Sequence, residues 1–355
     1  MGNLIGDRLR VMTFGESHGR AMGCVVDGCP AGLPLRLRHI LRALARDVPI
    51  PSVGTTRREP NRARILSGVA EGRTLGTPIA IVIPNVDVDS RPYRRRGSVP
   101  RPGHAELTHM ARHGHIDWRG GGRASGRECV ARLAAGEIAR RLLATRRVRV
   151  RSHVVAMAGT EARAGQDLDP LVQQVLAHGA EGESTGGVVR LRALGLPAGI
   201  GAPVFDKLHA SLGRALLGIG GVKALDVGIG RAVAGLTGSE NNDPIVVREG
   251  APLPETNRAG GVLGGITTGL PLEVTLWVKP TPSIPNPQSS VDLETGMPVE
   301  LRVRGRFDLN ITPRVAVVAE AMACLVLADA MIEAGFIHPT RLLEREALLR
   351  RGSGA

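Results

Sequence analysis

Residues 23–35 read GCVVDGCPAGLPL and residues 187–203 read GVVRLRALGLPAGIGAP; LSGVAEGRTLGTPIAIVI at 66–83 is answered by LGGITTGLPLEVTLWV at 263–278. Both members of the first pair carry Pro-Ala-Gly, and each copy sets a β-rich run, a glycine turn and a second strand-like run in the same order. Each copy is followed by a basic motif that leads into a long helical pattern. The spacing is far longer than the roughly 20–50 residues of solenoid repeats. These pairs predict a duplicated β-α unit and an α/β fold of the α+β type with pseudo-twofold symmetry. The expected layout is one domain over residues 1–340, with halves of about 1–145 and 146–340, and a C-terminal tail at 341–355.

Working outward, apolar residues at Val130, Leu133, Ala134, Ile138 and Leu142 give helical spacing over 127–145. Ser125 is the expected N-cap, with Glu128 three residues on as its capping-box partner. Val315, Val318, Met322, Leu325 and Val326 repeat the pattern over 314–334, after Pro313 and before Gly335. Segments 167–178 and 206–217 also read as helices. Strands are expected near 22–27, 64–69, 79–83, 148–158, 186–193 and 272–278. The Pro/Arg-rich stretch 84–103 and residues 236–262 read as loops, and the last dozen residues as loose.

The 355 residues are 43% apolar but only 2% aromatic, with one Tyr and two Trp, so the core must be filled by Val, Leu, Ile and Ala. Net charge is +13, and only Lys207, Lys223 and Lys279 of the 46 basic residues are lysine. Arg forks fit phosphate and carboxylate. GC-rich codon usage would also favour Arg, so the functional weight falls on Arg inside motifs. Either way the positive field attracts anions. The four cysteines, Cys24, Cys29, Cys129 and Cys324, contain no C-x-x-C pair and imply a reducing compartment. The N-terminus lacks the apolar stretch of a signal peptide, and the apolar run at 315–332 is interrupted by Glu320 and Asp329. A cytoplasmic protein with no membrane span follows. An Arg-rich RNA-binding protein is the rival reading from charge alone. The scarcity of aromatic stacking platforms and the lack of an RNP or KH pattern argue against it.

Five motifs carry chemistry. Gly15-Glu16-Ser17-His18-Gly19 holds a His in a glycine turn, and Arg101-Pro102-Gly103-His104-Ala105 holds another beside an Arg. His is the side chain that gives and takes protons near neutral pH. His109, His113 and His115 follow His104, but without paired Cys or H-E-x-x-H no metal site is expected. Arg119-Gly120-Gly121-Gly122-Arg123-Ala124-Ser125-Gly126-Arg127-Glu128 opens a helix, where free N–H groups can take a phosphate. Lys279-Pro280-Thr281-Pro282-Ser283 follows a strand and could hold a phosphate or a flavin edge, or be a rigid loop with a surface Lys. Gly305-Arg306-Phe307-Asp308 precedes the C-terminal helix. Its Arg and Asp could pair an anion clamp with a base, or form a simple ion pair.

In this order the motifs resemble those of the chorismate synthase family. The family's GESHG, RPGHAD, RGGGRSSARE, GGILGG, KPTSS and GRHD stand here as GESHG, RPGHAE, RGGGRASGRE, GGVLGG, KPTPS and GRFD, and the resemblance spans about residues 3–335. It implies a β-α-β sandwich with helices between two sheets, assembled as a homotetramer. It implies a lyase that converts 5-enolpyruvylshikimate 3-phosphate to chorismate and phosphate by 1,4-anti elimination. Reduced FMN is required without net redox change; the sequence shows no appended reductase domain, so an external flavin reductase is expected to supply it. By the same resemblance His18 is the proton donor near the flavin, and His104 protonates the leaving phosphate. Asp308 helps remove the C6 hydrogen through the flavin N5. Arg46, Arg101, Arg127 and Arg306 bind substrate. Arg123, Ala124, Ser125, Gly220, Gly221, Gly264, Lys279, Pro280, Thr281, Pro282, Ser283 and Arg306 bind FMN. The family's basic RRRPG-type run reads Ala45-Arg46-Asp47-Val48-Pro49 here, with Ser52 beyond it and Arg57 and Arg58 downstream. That change leaves an NADPH-binding role and part of the substrate clamp open, and raises the alternative of an FMN-binding paralogue without turnover. Ala124 for Ser and Phe307 for His should tune activity rather than abolish it.

Overall fold

The computed structural model describes residues 2–47, 50, 52–55, 57, 59–91, 98–162, 168–248, 250–303 and 305–343. Val48, Pro49, Arg58 and the tail beyond 343 lie outside the described residues.

Two five-stranded antiparallel sheets form the outer layers. The first contains β1 (Leu4–Ile5), β2 (Arg10–Phe14), β3 (Ala21–Asp27), β4 (Arg64–Ile65) and β5 (Ile79–Pro84), ordered β1-β2-β3-β5-β4. The second contains β6 (Arg149–Met157), β7 (Thr160–Glu161), β8 (Gly187–Leu194), β9 (Val222–Val227) and β10 (Leu272–Val278), ordered β9-β10-β8-β6-β7. Period-two alternation decides which face points inward. Ile79, Ile81 and Ile83 of β5 are fully buried, as are Val189, Leu191 and Ala193 of β8, while Arg190 and Arg192 face out.

The helices are α1 (Leu37–Leu44), α2 (Glu106–His113), α3 (Cys129–Ala144), α4 (Asp169–Ala180), α5 (Leu208–Leu217) and α6 (Thr312–Glu333). Helix α3 packs on β2, β3 and β5, α6 packs on β6 and β8, and the two meet in the middle of the sandwich. A Cβ on Gly136 of α3 would lie 2.4 Å from the Cβ of Ala321 on α6, so the glycine sets how closely the helices approach. By length and mean hydropathy α6 could cross a bilayer, but 83% of its apolar window is buried inside this fold.

The duplication is visible bond by bond. The order β2-β3-β5-β4 repeats as β6-β8-β10-β9, with α1 and α3 matching α5 and α6. After β3, the Thr74 hydroxyl donates to the Pro30 carbonyl at 2.6 Å and accepts from the Leu33 amide at 3.0 Å. After β8, the Thr267 hydroxyl donates to the Pro197 carbonyl at 2.7 Å and accepts from the Ile200 amide at 2.9 Å. Gly32 and Gly199, the glycines of the two Pro-Ala-Gly turns, sit at φ 91° and 98°, a region that disfavours side chains.

Several expectations are corrected. Strand 64–69 splits into β4 and one arm of the hairpin Val69–Ala70/Arg73–Thr74. The stretch 236–262 is not all loop. It holds a helical turn, Gly238–Asn241, and a hairpin of Ile245–Arg248 with Ala251–Pro254. Two 3₁₀ turns, Gly122–Ala124 and Gly126–Glu128, precede α3. Ser125 caps the second of them by accepting from the Arg127 amide, but the Glu128 side chain does not return to Ser125. It accepts instead from the Thr13 hydroxyl at 3.0 Å and from Arg132 at 2.6 Å, charge-assisted partners that outcompete a backbone amide.

Candidate active site

Helices α3 and α6 run the same way. A Cβ on Gly126 would lie 3.7 Å from Arg314 at one end, and Gly136 faces Ala321 further along. Both N-termini therefore open at one end of the sandwich, where two positive dipole ends favour anions. Just upstream of each, a side chain accepts a backbone amide, for α3 within the 3₁₀ turn Gly126–Glu128 that leads into it. Ser125 Oγ accepts from the Arg127 amide at 3.3 Å, and Asn310 Oδ1 accepts from the Thr312 amide at 2.8 Å. Over these ends lies a cleft of about 1640 Å³. Its lining includes nine basic side chains (Arg57, Arg62, Arg101, Arg123, Arg127, Arg132, Lys279, Arg306, Arg314) against five acidic ones (Asp47, Glu59, Asp89, Glu128, Asp308).

His18 and His104 meet consecutive glycines of the same turn. A Cβ on Gly120 would come within 2.5 Å of the His18 ring, and one on Gly121 within 3.4 Å of His104 Nε2. The glycine run is thus what lets the 119–126 turn pass both imidazoles. Asn85 ties the His18 turn down, donating to the Glu16 carbonyl at 3.0 Å and the Gly19 carbonyl at 2.9 Å. His18 Nδ1 is 2.8 Å from Ser90 Oγ. Burial, followed by the nearby Arg57 charge, holds the His18 pKa below its ordinary value, so the free protein keeps it neutral at pH 7.

Around His104, Arg101 is buried and almost fully engaged. Its Nε and Nη2 donate to Glu106 Oε1 at 3.0 and 2.7 Å, and its Nη1 donates to Ser283 Oγ at 3.0 Å. Arg101 Nη2 also lies 3.1 Å from His104 Nε2. A guanidinium only donates, so Nε2 must accept and the His104 proton sits on Nδ1, 3.7 Å from Glu106 Oε1. Lys279 Nζ donates to the Gly103 carbonyl at 2.8 Å, joining the two motifs across the cleft.

Other charges of the cleft are also committed to partners. Arg123 donates to Thr13 Oγ1 at 2.6 Å and to the Gly15 carbonyl at 3.1 Å. Arg127, largely buried, donates to Asn85 Oδ1 at 3.0 Å and to Asn61 Oδ1, and burial lowers its pKa. Arg306 pairs with Asp87 at 2.5 Å. Asp308 Oδ1 accepts from the Thr55 amide at 2.8 Å, and the Asp308 carbonyl accepts from Thr281 Oγ1 at 2.6 Å.

His18, His104, Asp308, Arg101, Arg127, Arg306, Arg123, Ala124, Ser125, Gly220, Gly221 and residues 279–283 all line this one cleft. Two expected members do not. Arg46 turns away to pair with the buried Glu320 of α6 at 2.6 Å. Gly264 forms the turn of the hairpin Val262–Leu263/Ile266–Thr267 at φ 60° and is not among the lining residues. The cleft adds Arg57, Glu59 and Arg314, and its wall is fixed by Glu106. Arg314 was hidden in the first turn of an apolar helix; the sign it left was a lone cation one residue after Pro313. Among the described residues no three His, Cys, Asp or Glu side chains gather as a metal-ligand set.

A basic cleft at paired helix ends, with two imidazoles and a carboxylate facing into it, defines an enzyme that handles anionic small molecules. The family model for chorismate synthase matches residues 9–332. The chain is 45% identical to the chorismate synthase of Methanocella arvoryzae over 95% of its own length and 96% of that protein. It is 43% identical to that of Pyrobaculum islandicum, covering 97% and 100%. A crystal structure of chorismate synthase superposes with a TM-score of 0.73 at 28% identity, covering 93% of each chain. This chain belongs to the chorismate synthase family. The RNA-binding alternative loses its support with that assignment.

Proposed function

We propose that this cleft is where the chain carries out the reaction its family membership assigns, conversion of 5-enolpyruvylshikimate 3-phosphate to chorismate and phosphate. The observation that carries the reading is the pair of imidazoles set against consecutive glycines at the mouth of two helix N-termini. A substrate with one phosphate and two carboxylates needs dispersed positive charge, which Arg101, Arg127 and Arg306 line up along the wall.

The site also fits FMN. About 1640 Å³ is larger than the roughly 300–1,000 Å³ of a single-ligand pocket and leaves room for two anions side by side. Gly220 has open space where a side chain would stand, and Ile311, Pro280 and Pro282 supply apolar wall for a flat ring. The residues from Arg123 to Ser125, Gly220, Gly221, Lys279 through Ser283 and Arg306 would hold it. Reduced FMN, when bound, would supply a transient electron that makes phosphate a better leaving group. His104 protonates the departing phosphate. Because Arg101 holds Nε2 as an acceptor, His104 must first gain a proton, and a phosphate dianion alongside favours that. His18 acts as the second proton group, and Asp308 is the carboxylate that accepts the proton lost from C6.

The enzyme is proposed to work in the cytoplasm as one unit through residue 340, with reduced flavin delivered by a separate reductase. With Arg46 and Asp47 both engaged by α6, residues 46–47 offer no NADPH clamp. A homotetramer is supported by the outer face of the first sheet, where Leu4, Met12 and Phe14 are exposed beside Val25, Ala80 and Val82. The deciding experiment is anaerobic phosphate release from the substrate with the purified protein. Release only with reduced FMN supports the reading; no release with reduced FMN, or equal release with oxidised FMN alone, overturns it.

A further inference from the structure

Asp47 occupies a place where the family carries basic residues, yet it is buried in the cleft floor with its side chain 3% exposed. It takes both Arg314 Nε at 2.9 Å and Arg314 Nη2 at 3.1 Å. Arg314 Nη1 points the other way and stops 4.0 Å from Asp308 Oδ1. That gap is longer than a hydrogen bond, whereas the Asp47 fork is bidentate. Burial alone would lower the Arg314 pKa, but the Asp47 carboxylate raises it above the ordinary arginine value and keeps the cation charged. Cys129, beside the pair, is pushed up to about 12 by burial and stays a neutral thiol. One guanidinium therefore lies between two carboxylates, one buried and one on the cleft wall.

We propose that Asp47 is a positioning residue for the elimination: it claims Arg314 and so keeps the Asp308 carboxylate at the 4.0 Å limit of an ion pair rather than in a close, hydrogen-bonded one. An Arg with only Asp308 in reach would cover the 4.0 Å gap, since a bidentate pair is the preferred geometry for these groups. The captured carboxylate would then be a poorer proton acceptor, because an opposite charge in contact stabilises its ionised form. With Asp47 in place, Asp308 is held by a neutral donor, the Thr55 amide, and by its own main chain at Thr281. On this view Asp47 is a replacement that acts from behind the first ring of groups, and the chain is not a paralogue that has lost turnover. The inference rests on the role of Asp308 as proton acceptor.

The test compares Asp47→Asn, Asp308→Asn and the double variant Asp47→Asn/Arg314→Gln with wild type, measuring kcat and KM for phosphate release with reduced FMN. Asp47→Asn should lower kcat by about 10- to 100-fold with KM changed less than about threefold, the size expected when a reacting group is misplaced. The double variant, which removes the capturing cation together with its buried partner, should recover at least about tenfold of that loss. A purely structural role predicts the opposite: activity that tracks thermal stability, and a double variant no faster than Asp47→Asn. That outcome, or an unchanged kcat in Asp47→Asn while Asp308→Asn is inactive, overturns the proposal alone. Unchanged turnover in Asp308→Asn would overturn the assignment of Asp308 and this inference with it.

Discussion

Gly120→Ala should disable His18 while leaving the fold intact. The φ of Gly120 is not in the left-handed region, so alanine meets no backbone penalty and the effect is purely steric. The new Cβ would lie 2.5 Å from His18 Cδ2, 2.8 Å from Cγ and 3.0 Å from Nε2. Ordinary contact begins near 3.4 Å, so the ring must retreat by about 3.4 − 2.5 = 0.9 Å. It cannot do so and keep the 2.8 Å contact of Nδ1 with Ser90. A reacting group misplaced by about 1 Å costs roughly 100-fold in rate. We therefore expect kcat for phosphate release with reduced FMN to fall about 100-fold, with little change in thermal midpoint, because His18 is only half buried and the ring can swing outward. The double variant with His18→Ala should be no slower than the slower single variant, since both remove one function. If Gly120→Ala stays within threefold of wild type, or if the two changes multiply, the reasoning that ties the glycine run to the imidazole is wrong.

Other outcomes follow from the same geometry. Arg101→Lys should cut kcat at least about tenfold, because one ammonium cannot replace a fork that grips Glu106, Ser283 and His104 together; steady-state kinetics of phosphate release check it. Gly136→Ala should destabilise the fold by about 1–3 kcal/mol of overpacking, lessened by up to about 1 kcal/mol of helix propensity, as read by urea unfolding. FMN binding at pH near 7 should take up a proton at His18. Its pKa is depressed in the free protein by burial and by Arg57, and an anionic ligand favours the charged form. Calorimetry in buffers of differing ionisation enthalpy should show the uptake, and His18→Gln should abolish it. By the same sign, neutral His18 contributes to stability of the free protein above pH about 6.5, and that contribution is lost as pH falls toward the folded pKa.

The sheets were legible where one face of a strand is wholly apolar. β5, with Ile79, Ile81 and Ile83 inward, and β10, with Leu272, Val274, Leu276 and Val278, stand out by their alternation. β2 was missed because Met12 and Phe14 face outward, which blurs the contrast between its two sides. α1 and α2 were missed because each is a single eight-residue stretch with Arg or His interleaved, too short for a helical period to emerge. The two histidine turns were legible since the glycines they need are local. The partners that decide the cleft floor were not: Arg314 reaches Asp47 from 267 residues away, and Arg46 finds Glu320 across a similar separation. Nothing in the run 45–52 states that its charges turn onto a distant helix.

The duplicated scaffold accounts for how a single cleft would serve the two anions and the proton transfer proposed above. Twofold repetition brings α3 and α6 parallel, so both N-termini open on one space, and each is preceded by a side-chain acceptor, Ser125 in one half and Asn310 in the other. What is not repeated is the charge around those caps. The first half surrounds its helix start with Arg101, Arg123 and Arg127, whose acidic partners Glu106, Glu128 and Glu59 are set back within the protein. The second half sets a carboxylate, Asp308, and a cation that Asp47 already claims, Arg314, at its own, while its Arg306 is paired with Asp87. A symmetric pair of helix dipoles would hold two anions equally well. On the roles proposed above, the asymmetry would separate the side that grips the leaving phosphate from the side that stays free to accept a proton, and elimination requires both at once.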